Sequence, residues 1–192
     1  PLHFARTAEI AQLLLAEGAK PNLQDDDGRT PLYLAVMNGR HKVASVLLKR
    51  GADPNIQRGP PGMGPQGGPL HCAARDDTDL AKLLLDYGAD PNLKTDLAHS
   101  PLYEAAYTNN RESCELLLNR KADVLSEIVD GHTPWFASLR HGSELASIFV
   151  EHLSKEKGIE AVPLHWWCSV GRVDKVAELL RLGADVNARL DY

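Results

Sequence analysis

Histidine, cysteine and aspartate are the residues of this sequence that could hold a metal or carry out nucleophilic chemistry. His165 and Cys168 lie three residues apart, a spacing that places two zinc ligands on one face of a helix. Zinc sites usually have four ligands, and a second pair is absent from the sequence, so we expect no metal there. The run Asp25–Asp27 before Gly28 has only a superficial similarity to a calcium loop, because the downstream ligands are missing. We interpret it as a solvated turn.

The sequence contains none of the common catalytic or phosphate-binding motifs. It has no glycine-rich phosphate loop after a strand, no GxSxG and no HExxH. Its three cysteines, Cys72, Cys114 and Cys168, are far apart, which excludes a CxxC pair and predicts buried, inert thiols. Their odd number argues against a disulfide framework and favours a reducing compartment. We therefore predict a protein that is not an enzyme and that uses no cofactor or metal.

The composition excludes several classes of protein. Hydrophobic residues make up 43% of the chain and charged residues 24%, average values that argue against wholesale disorder. The net charge of −5 argues against a nucleic-acid partner, and no apolar run reaches the roughly eighteen residues of a membrane span. Aromatic residues make up only 6%, so leucine and alanine must fill the core. We expect a cytoplasmic or nuclear protein with no membrane contact.

One segment recurs along the whole chain. Its clearest copy, RTPLYLAVMNGRHKVASVLLKRGADPN, occupies residues 29–55. The proline that marks each copy recurs at intervals of 30, 38, 32, 33 and 29 residues, which indicates one period of about 33. The marker prolines are Pro1, Pro31, Pro69, Pro101, Pro134 and Pro163.

Each copy predicts two helices that cannot be stable alone. A hydroxyl residue before the proline, as in Thr30-Pro31, caps the first helix, and a glycine such as Gly51 ends the second. Apolar residues at helical spacing predict a buried stripe, for example Val43 with Leu47 or Val173 with Val176. A helix pair can bury this stripe only against its neighbours, so the pairs must stack in a line.

The motif T-P-L-H-x-A, followed by a leucine-rich helix and G-A-D-x-N, is similar to the ankyrin repeat. The resemblance implies an all-α solenoid of stacked antiparallel helix pairs with short β-hairpin or loop fingers. It also implies that the motif histidines His3, His71 and His165 hold turns. The chain begins and ends inside the motif, so we expect a fragment of a longer protein. The six copies cover approximately residues 1–24, 25–57, 58–94, 95–127, 128–160 and 161–192, as one array.

Four departures from the pattern carry predictions. The short interval between Pro1 and Leu13 predicts a stunted first helix, and Lys121 replaces a helix-ending glycine at a cost in strain. The fifth copy lacks G-A-D-x-N, so either its finger is shortened or its second helix is extended. Residues Gly59–Gly68 include eight glycines and prolines, which excludes helix and paired strand. This insertion is either a tolerated loop or a flexible lip that contacts a partner.

The resemblance further implies a binding surface, the concave face formed by the fingers and the exposed side of the first helices. We expect a monomeric scaffold or adaptor that binds a protein or peptide there. The alternatives are a substrate-recruiting or regulatory region of a larger enzyme, such as a ubiquitin ligase or kinase, and a microbial effector in host cytosol. The matching positions are Asp26, Asp27, Arg29, Met37, Asn38, Arg75, Asp76, His99, Tyr107, Thr108, His132, Arg140, His141, Trp166 and Ser169.

The asparagines that end G-A-[DK]-[PV]-N allow two interpretations. Each follows a leucine by eight residues, which is similar to the pattern that asparaginyl hydroxylases modify in ankyrin repeats. The other interpretation is that the asparagine stabilises the turn. The residues concerned are Asn22, Asn55, Asn92 and Asn187.

Overall fold

A computed structural model describes residues 1–58, 67–126, 133–140, 143–157, 164–169 and 171–187 of the chain. Over these residues the regular structure is entirely helical, which confirms the predicted all-α class, and the fingers are turns rather than paired strands. A 3₁₀ helix, Leu2–Phe4, comes first. The α-helices are α1 Ala8–Ala16, α2 Pro31–Met37, α3 His41–Lys49, α4 Pro69–Asp76, α5 Thr78–Asp86, α6 Pro101–Tyr107, α7 Arg111–Asn119, α8 Pro134–Leu139, α9 Ser143–Lys157, α10 Leu164–Ser169 and α11 Val173–Arg181.

A hydroxyl cap followed by proline starts the first helix of the second, fourth and fifth copies. The Thr30 hydroxyl accepts a hydrogen bond from the backbone N–H of Tyr33 at 3.1 Å, and Ser100 caps α6 in the same way at 3.2 Å. Proline follows at the first helical position, where a backbone donor is not needed. The first copy has only the 3₁₀ helix at this place, which confirms the predicted stunted helix.

The helices stack in two rows. In the inner row α2 packs on α4, α4 on α6 and α6 on α8, while α1, α3, α5, α7 and α9 follow one another in the outer row. Alanines such as Ala35, Ala73 and Ala105 are buried between inner helices and let them approach closely. The core leucines are fully buried, and each contributes about 1.5–3 kcal/mol by leaving water. They include Leu32, Leu70 and Leu102 in the inner row and Leu47, Leu84 and Leu117 in the outer row.

The later copies differ from this leucine-and-alanine core. Trp135 and Phe149 are buried in the fifth helix pair, so large aromatic side chains form part of its core. Helix α9 has 15 residues, whereas α3 has nine, so the fifth copy has an extended second helix, one of the two alternatives predicted. The buried stripe predicted for the last copy, Val173, Val176, Leu179 and Leu180, is wrong at Val173, which is 77% exposed, and at Leu180, which is 42% exposed. Val173 begins α11 at the position of His41 in α3, a surface position in both helices.

Asparagine side chains join successive fingers. The amide of Asn22 donates to the carbonyl of Gly51 at 3.2 Å and accepts from the N–H of Asp53 at 2.8 Å. Asn55 and Asn92 make the same pair of bonds to the copy that follows each of them. These bonds support the turn-stabilising interpretation of the three asparagines. Leu125 occupies the equivalent position in the fourth copy, so the series of asparagine bonds between successive fingers ends there.

Three residues adopt a left-handed backbone at positions where the second copy has glycine. Lys121 has φ +69°, which confirms the strain predicted for the residue that replaces the helix-ending glycine. Ala98 and Asn109 have φ +60° and +59°, and they correspond to Gly28 and Gly39. A side chain at such a position costs roughly 1–2 kcal/mol relative to glycine.

Most of the glycine- and proline-rich insertion, residues 59–66, lies outside the described part of the chain. The two interpretations of this insertion, a tolerated loop and a lip that contacts a partner, therefore both stay predictions.

Among the helices that are described, none is both long and apolar enough to cross a lipid bilayer.

Candidate functional site

Equivalent positions near the ends of the inner helices form a row across the copies. Met37 ends α2, Arg75 lies in the last turn of α4, Tyr107 ends α6 and Arg140 directly follows α8. Met37 is 51% exposed and Tyr107 is 43% exposed. Side chains of different chemistry therefore reach the surface once per copy.

The centre of this row contains a buried carboxylate, that of Glu104 in α6. Its side chain is 11% exposed and takes the place of Leu34, Cys72 and Ala137 in the other copies. One oxygen, Oε1, accepts from Nδ1 of His99 at 2.8 Å, and Oε2 lies 3.5 Å from Nη1 of Arg75. A buried carboxylate needs such partners, because leaving it unpaired costs several kcal/mol.

His99 is held in position by its backbone. Its N–H donates to the Thr95 hydroxyl at 3.1 Å, and its carbonyl accepts from Nε2 of His71 at 3.1 Å. Nδ1 of His71 in turn accepts from the N–H of Gly68 at 3.1 Å, so His71 is neutral with its proton on Nε2. Burial lowers the pKa of the His71 imidazole, which favours this neutral form.

His71 thus has the turn-holding role that the resemblance implies, with one bond inside its own copy and one to the next finger. His3 makes the same forward bond, from Nε2 to the carbonyl of Arg29 at 3.0 Å. The side chain of His165 lies outside the described residues.

Aromatic rings continue the arrangement along α6. The rings of His99 and Tyr103 are 4.5 Å apart, and Tyr103 stacks on Tyr107 with centroids 6.1 Å apart. The guanidinium carbon of Arg140 lies 4.8 Å from the centre of the Tyr107 ring, within the range of a cation–π contact. We call this group the Glu104 strip. Its members are Arg75, His99, Tyr103, Glu104, Tyr107 and Arg140.

The structure brings some of the predicted binding residues together and separates others. Arg75, His99, Tyr107 and Arg140 meet in the Glu104 strip, and the Thr108 hydroxyl contacts the carbonyl of Arg75 at 3.3 Å. The remaining described positions lie outside the strip: Asp26, Asp27, Arg29, Met37, Asn38 and Asp76. His132 and His141 fall outside the described residues, as do the side chains of Trp166 and Ser169.

Hydrogen bonds and ion pairs within the finger of the second copy hold it in shape. The Oδ1 atom of Asp25 accepts from the backbone N–H of Arg29 at 2.8 Å, and the Arg29 guanidinium pairs with Asp25 and Asp27. Arg29 is therefore largely engaged inside its own finger. Asp26 and Asp27 are exposed at the tip, as the interpretation of a solvated turn requires.

The three cysteines differ in environment. Cys114 is buried, which raises the pKa of its thiol to about 12, and Cys72 is half-buried with its pKa raised for the same reason. The prediction of a buried thiol is wrong for Cys168, which is exposed. It follows the buried Trp167 on α10, and adjacent helix residues point about 100° apart, so Cys168 can reach the surface. Over the described residues, no group of three or more His, Cys, Asp or Glu side chains is arranged to hold a metal ion.

Glu104 and Tyr103 were not among the residues predicted from the sequence. The signal for Glu104 was a charged residue in PLYEAA at a position where the other copies have Leu34, Cys72 or Ala137. The signal for Tyr103 was an aromatic residue at the place of the motif histidine. Both residues lie on the same helix as Tyr107, which was predicted.

Comparison with known proteins agrees with this architecture. The family described as Ankyrin repeats (3 copies) matches residues 1–58, 62–128 and 102–189. The chain belongs to the ankyrin-repeat family, whose members are in general protein-interaction modules without catalytic activity.

The chain is similar to parts of much longer proteins. It is 33% identical over 121 residues to the Putative ankyrin repeat protein FPV014 of Fowlpox virus (strain NVSL), covering 62% of this chain and 26% of that protein. It is 32% identical over 185 residues to human Neurogenic locus notch homolog protein 1, covering 85% of this chain and 7% of that protein. Human Transient receptor potential cation channel subfamily A member 1 is 27% identical over 177 residues, at 85% and 15% coverage. The matched region therefore spans about a quarter or less of each relative.

Proposed function

We propose that this array is a non-catalytic scaffold or adaptor that binds a protein or peptide through its fingers and inner helices. The exposed ring of Tyr107 has the Arg140 guanidinium over its face, and Arg75 contacts Glu104 on the same helix; this arrangement is the observation that carries the proposal. Tyrosine and arginine are enriched among the residues that dominate binding energy at protein interfaces. Their arrangement on an open surface suits a macromolecular partner better than a small substrate.

The proposed surface follows the row of inner-helix ends. Met37 offers an exposed apolar side chain in the second copy, and Asp26 and Asp27 are accessible on the adjacent finger. Asn38, Asp76 and Thr108 follow the row residues by one position, so they would border a bound partner. We keep the predicted positions His132, His141, Trp166 and Ser169 as part of this proposal.

An alanine scan against a partner isolated from the native cell tests the proposal. We expect Tyr107→Ala and Arg140→Ala each to weaken binding by about 2 kcal/mol or more, as for central interface residues. Lys42→Ala and Lys82→Ala are matched controls on the outer helices α3 and α5, where both lysines are exposed. Loss of binding in the outer-helix variants alone would place the interface on the opposite face.

A second candidate is that the array recruits substrates for a larger enzyme, such as a ubiquitin ligase or kinase, or regulates it. The observation in its favour is that the relatives contain the matched region as 7–26% of their length. The coding sequence on either side of residues 1–192 distinguishes the two candidates. A flanking catalytic domain supports the second, and further repeats without one support the first.

A further inference from the structure

The guanidinium groups of Arg75 and Arg140 reach the same helix from opposite sides. Arg75 extends from α4 towards Glu104 on α6, with Nη1 3.5 Å from Oε2. Arg140 extends back from the end of α8 to the ring of Tyr107, also on α6, at 4.8 Å. Glu104 and Tyr107 are three residues apart on one helix, so their Cβ atoms are about 5–6 Å apart. Two cations, from the third and fifth copies, therefore contact residues on one turn of the fourth.

Glu104 supplies the single carboxylate of the Glu104 strip, and it does not occupy all the hydrogen-bond donors of Arg75 and Arg140. Its shorter contact, 2.8 Å, is to His99, and Arg75 lies farther away with a side chain that is 47% exposed. Arg140 is also exposed, and its contact with Tyr107 is through the ring face. A planar guanidinium that stacks on a ring keeps its N–H donors around its edge. Both arginines can therefore donate to an acceptor that arrives from outside.

We propose that the Glu104 strip binds a carboxylate side chain from an acidic, extended segment of the partner, seated over Tyr107 between Arg75 and Arg140. The inference rests on the proposed function and specifies the chemistry of the partner. Charge complementarity carries it, since an arginine fork matches the two oxygens of a carboxylate. Glu104 is bonded to His99 and contacts Arg75 through Nη1 alone, so the other donors of Arg75 can serve an arriving carboxylate.

A selection of phage-displayed random dodecapeptides on the immobilised array provides the test. We expect the enriched peptides to share an aspartate or glutamate at one position. One such peptide, labelled with fluorescein, is then titrated by fluorescence anisotropy, together with a version in which that acid is replaced by its amide. Wild-type array, Arg75→Gln, Arg140→Gln and the control Arg50→Gln, an exposed residue at the end of the outer helix α3, are compared.

We expect Arg75→Gln, Arg140→Gln and the amide peptide each to raise Kd roughly tenfold, because each removes a charge-assisted hydrogen bond. Arg50→Gln should leave Kd unchanged. Arg75→Lys keeps the positive charge but loses the planar guanidinium, so its Kd should lie between those of the wild type and Arg75→Gln. Circular dichroism of each variant establishes that the helices are intact.

Enriched peptides without an acidic preference, or wild-type affinity in both glutamine variants, would overturn the inference. If those peptides still lose affinity on Tyr107→Ala, the inner-helix face is the binding surface and only its acidic preference is wrong. If no inner-helix variant changes binding, or if no peptide is enriched on the wild-type array, the proposed function fails as well.

Discussion

The side chain of Asn55 holds the loop around Asp90 in the next copy at two points. Its Oδ1 atom accepts from the N–H of Asp90 at 2.8 Å, and its Nδ2 group donates to the carbonyl of Gly88 at 3.0 Å. A single side chain therefore satisfies one donor and one acceptor of a neighbouring turn. The same relationship links Asn22 and Asn92 to their following copies.

Replacing Asn55 with alanine should destabilise the array by about 1–3 kcal/mol, because a backbone donor and acceptor lose their partner. The free energy of unfolding, measured by urea denaturation, checks this value. Asn119→Ala is the matched control, since Asn119 is an exposed asparagine at the end of the outer helix α7. Equal losses in both variants would contradict the role assigned to the bonds between fingers.

Hydroxylation of Asn22, Asn55, Asn92 and Asn187 stays a separate prediction from their sequence context. Mass spectrometry of the protein purified from its native cell measures it directly. An added oxygen on any of these peptides supports hydroxylation. If every peptide is observed and none is modified, hydroxylation is wrong and only the structural role of the asparagines stands.

Glycine at the strained positions should stabilise the protein. Lys121→Gly and Ala98→Gly each relieve a left-handed backbone conformation at φ +69° and +60°. The gain should be about 0.5–1 kcal/mol, since glycine also loses more chain entropy on folding. Thermal or urea unfolding measures it.

The converse change provides a matched control for that prediction. Gly51 has φ +83°, and a Cβ added there would meet no other atom within 4 Å, so Gly51→Ala tests the backbone cost without a clash. It should destabilise the array by a similar amount, roughly 1 kcal/mol. Stabilisation by Gly51→Ala would show that backbone strain does not govern these positions.

Acid should destabilise the array through His71. Burial lowers the pKa of this imidazole in the folded protein, while the unfolded chain has the ordinary value of about 6.5. As the pH falls through that value, the unfolded state binds a proton that the folded state does not, so the free energy of unfolding decreases. The decrease continues until the pH reaches the lowered pKa of the folded state.

Urea unfolding of the wild type and of His71→Gln at pH 7.5 and 5.5, values on either side of about 6.5, measures this contribution. The variant should be less stable at the higher pH and should show a smaller decrease between the two. His3→Gln keeps the buried His71, so it should retain the wild-type decrease. A decrease of the same size in His71→Gln would assign the acid sensitivity to other groups.

Glu104→Leu should destabilise the array by about 1–3 kcal/mol, because it removes only one partner of the contact and leaves the half-buried Nδ1 of His99 without its acceptor. Leucine already occupies the equivalent position, Leu34, in the second copy. Arg75 and His99 would lose their acceptor, so the orientation of both side chains should change. Urea unfolding and NMR shifts of the His99 ring test the two parts of this prediction. An unchanged His99 environment would contradict the role assigned to Glu104.

The period and the helix signals of the sequence predict most of the fold. Threonine or serine before proline, the leucine-rich second helices and the strained Lys121 are local features, so the order of residues alone reveals them. The stunted first helix follows from spacing alone, and the extended α9 was one of two alternatives.

The binding surface was less predictable, because its contacts join different copies. Arg140 meets Tyr107, and Arg75 meets Glu104, only after the inner helices have stacked and the side chains have chosen rotamers. The exposed positions of Val173 and Cys168 depend likewise on helix register, which apolar spacing did not resolve.

The apolar side chain of Leu125 affects how the array responds to heat or to a pulling force. The first four fingers are clasped to one another by amide side chains, whereas the fourth has an apolar residue at the point of attachment. Heat or a pulling force should therefore open the seam between the fourth and fifth fingers before the seams between the first four, while the packing of α6 on α8 still joins the two copies. A partner bound across Tyr107 and Arg140 would hold the fourth and fifth copies together at that seam. Binding of the partner would therefore make the whole array stiffer.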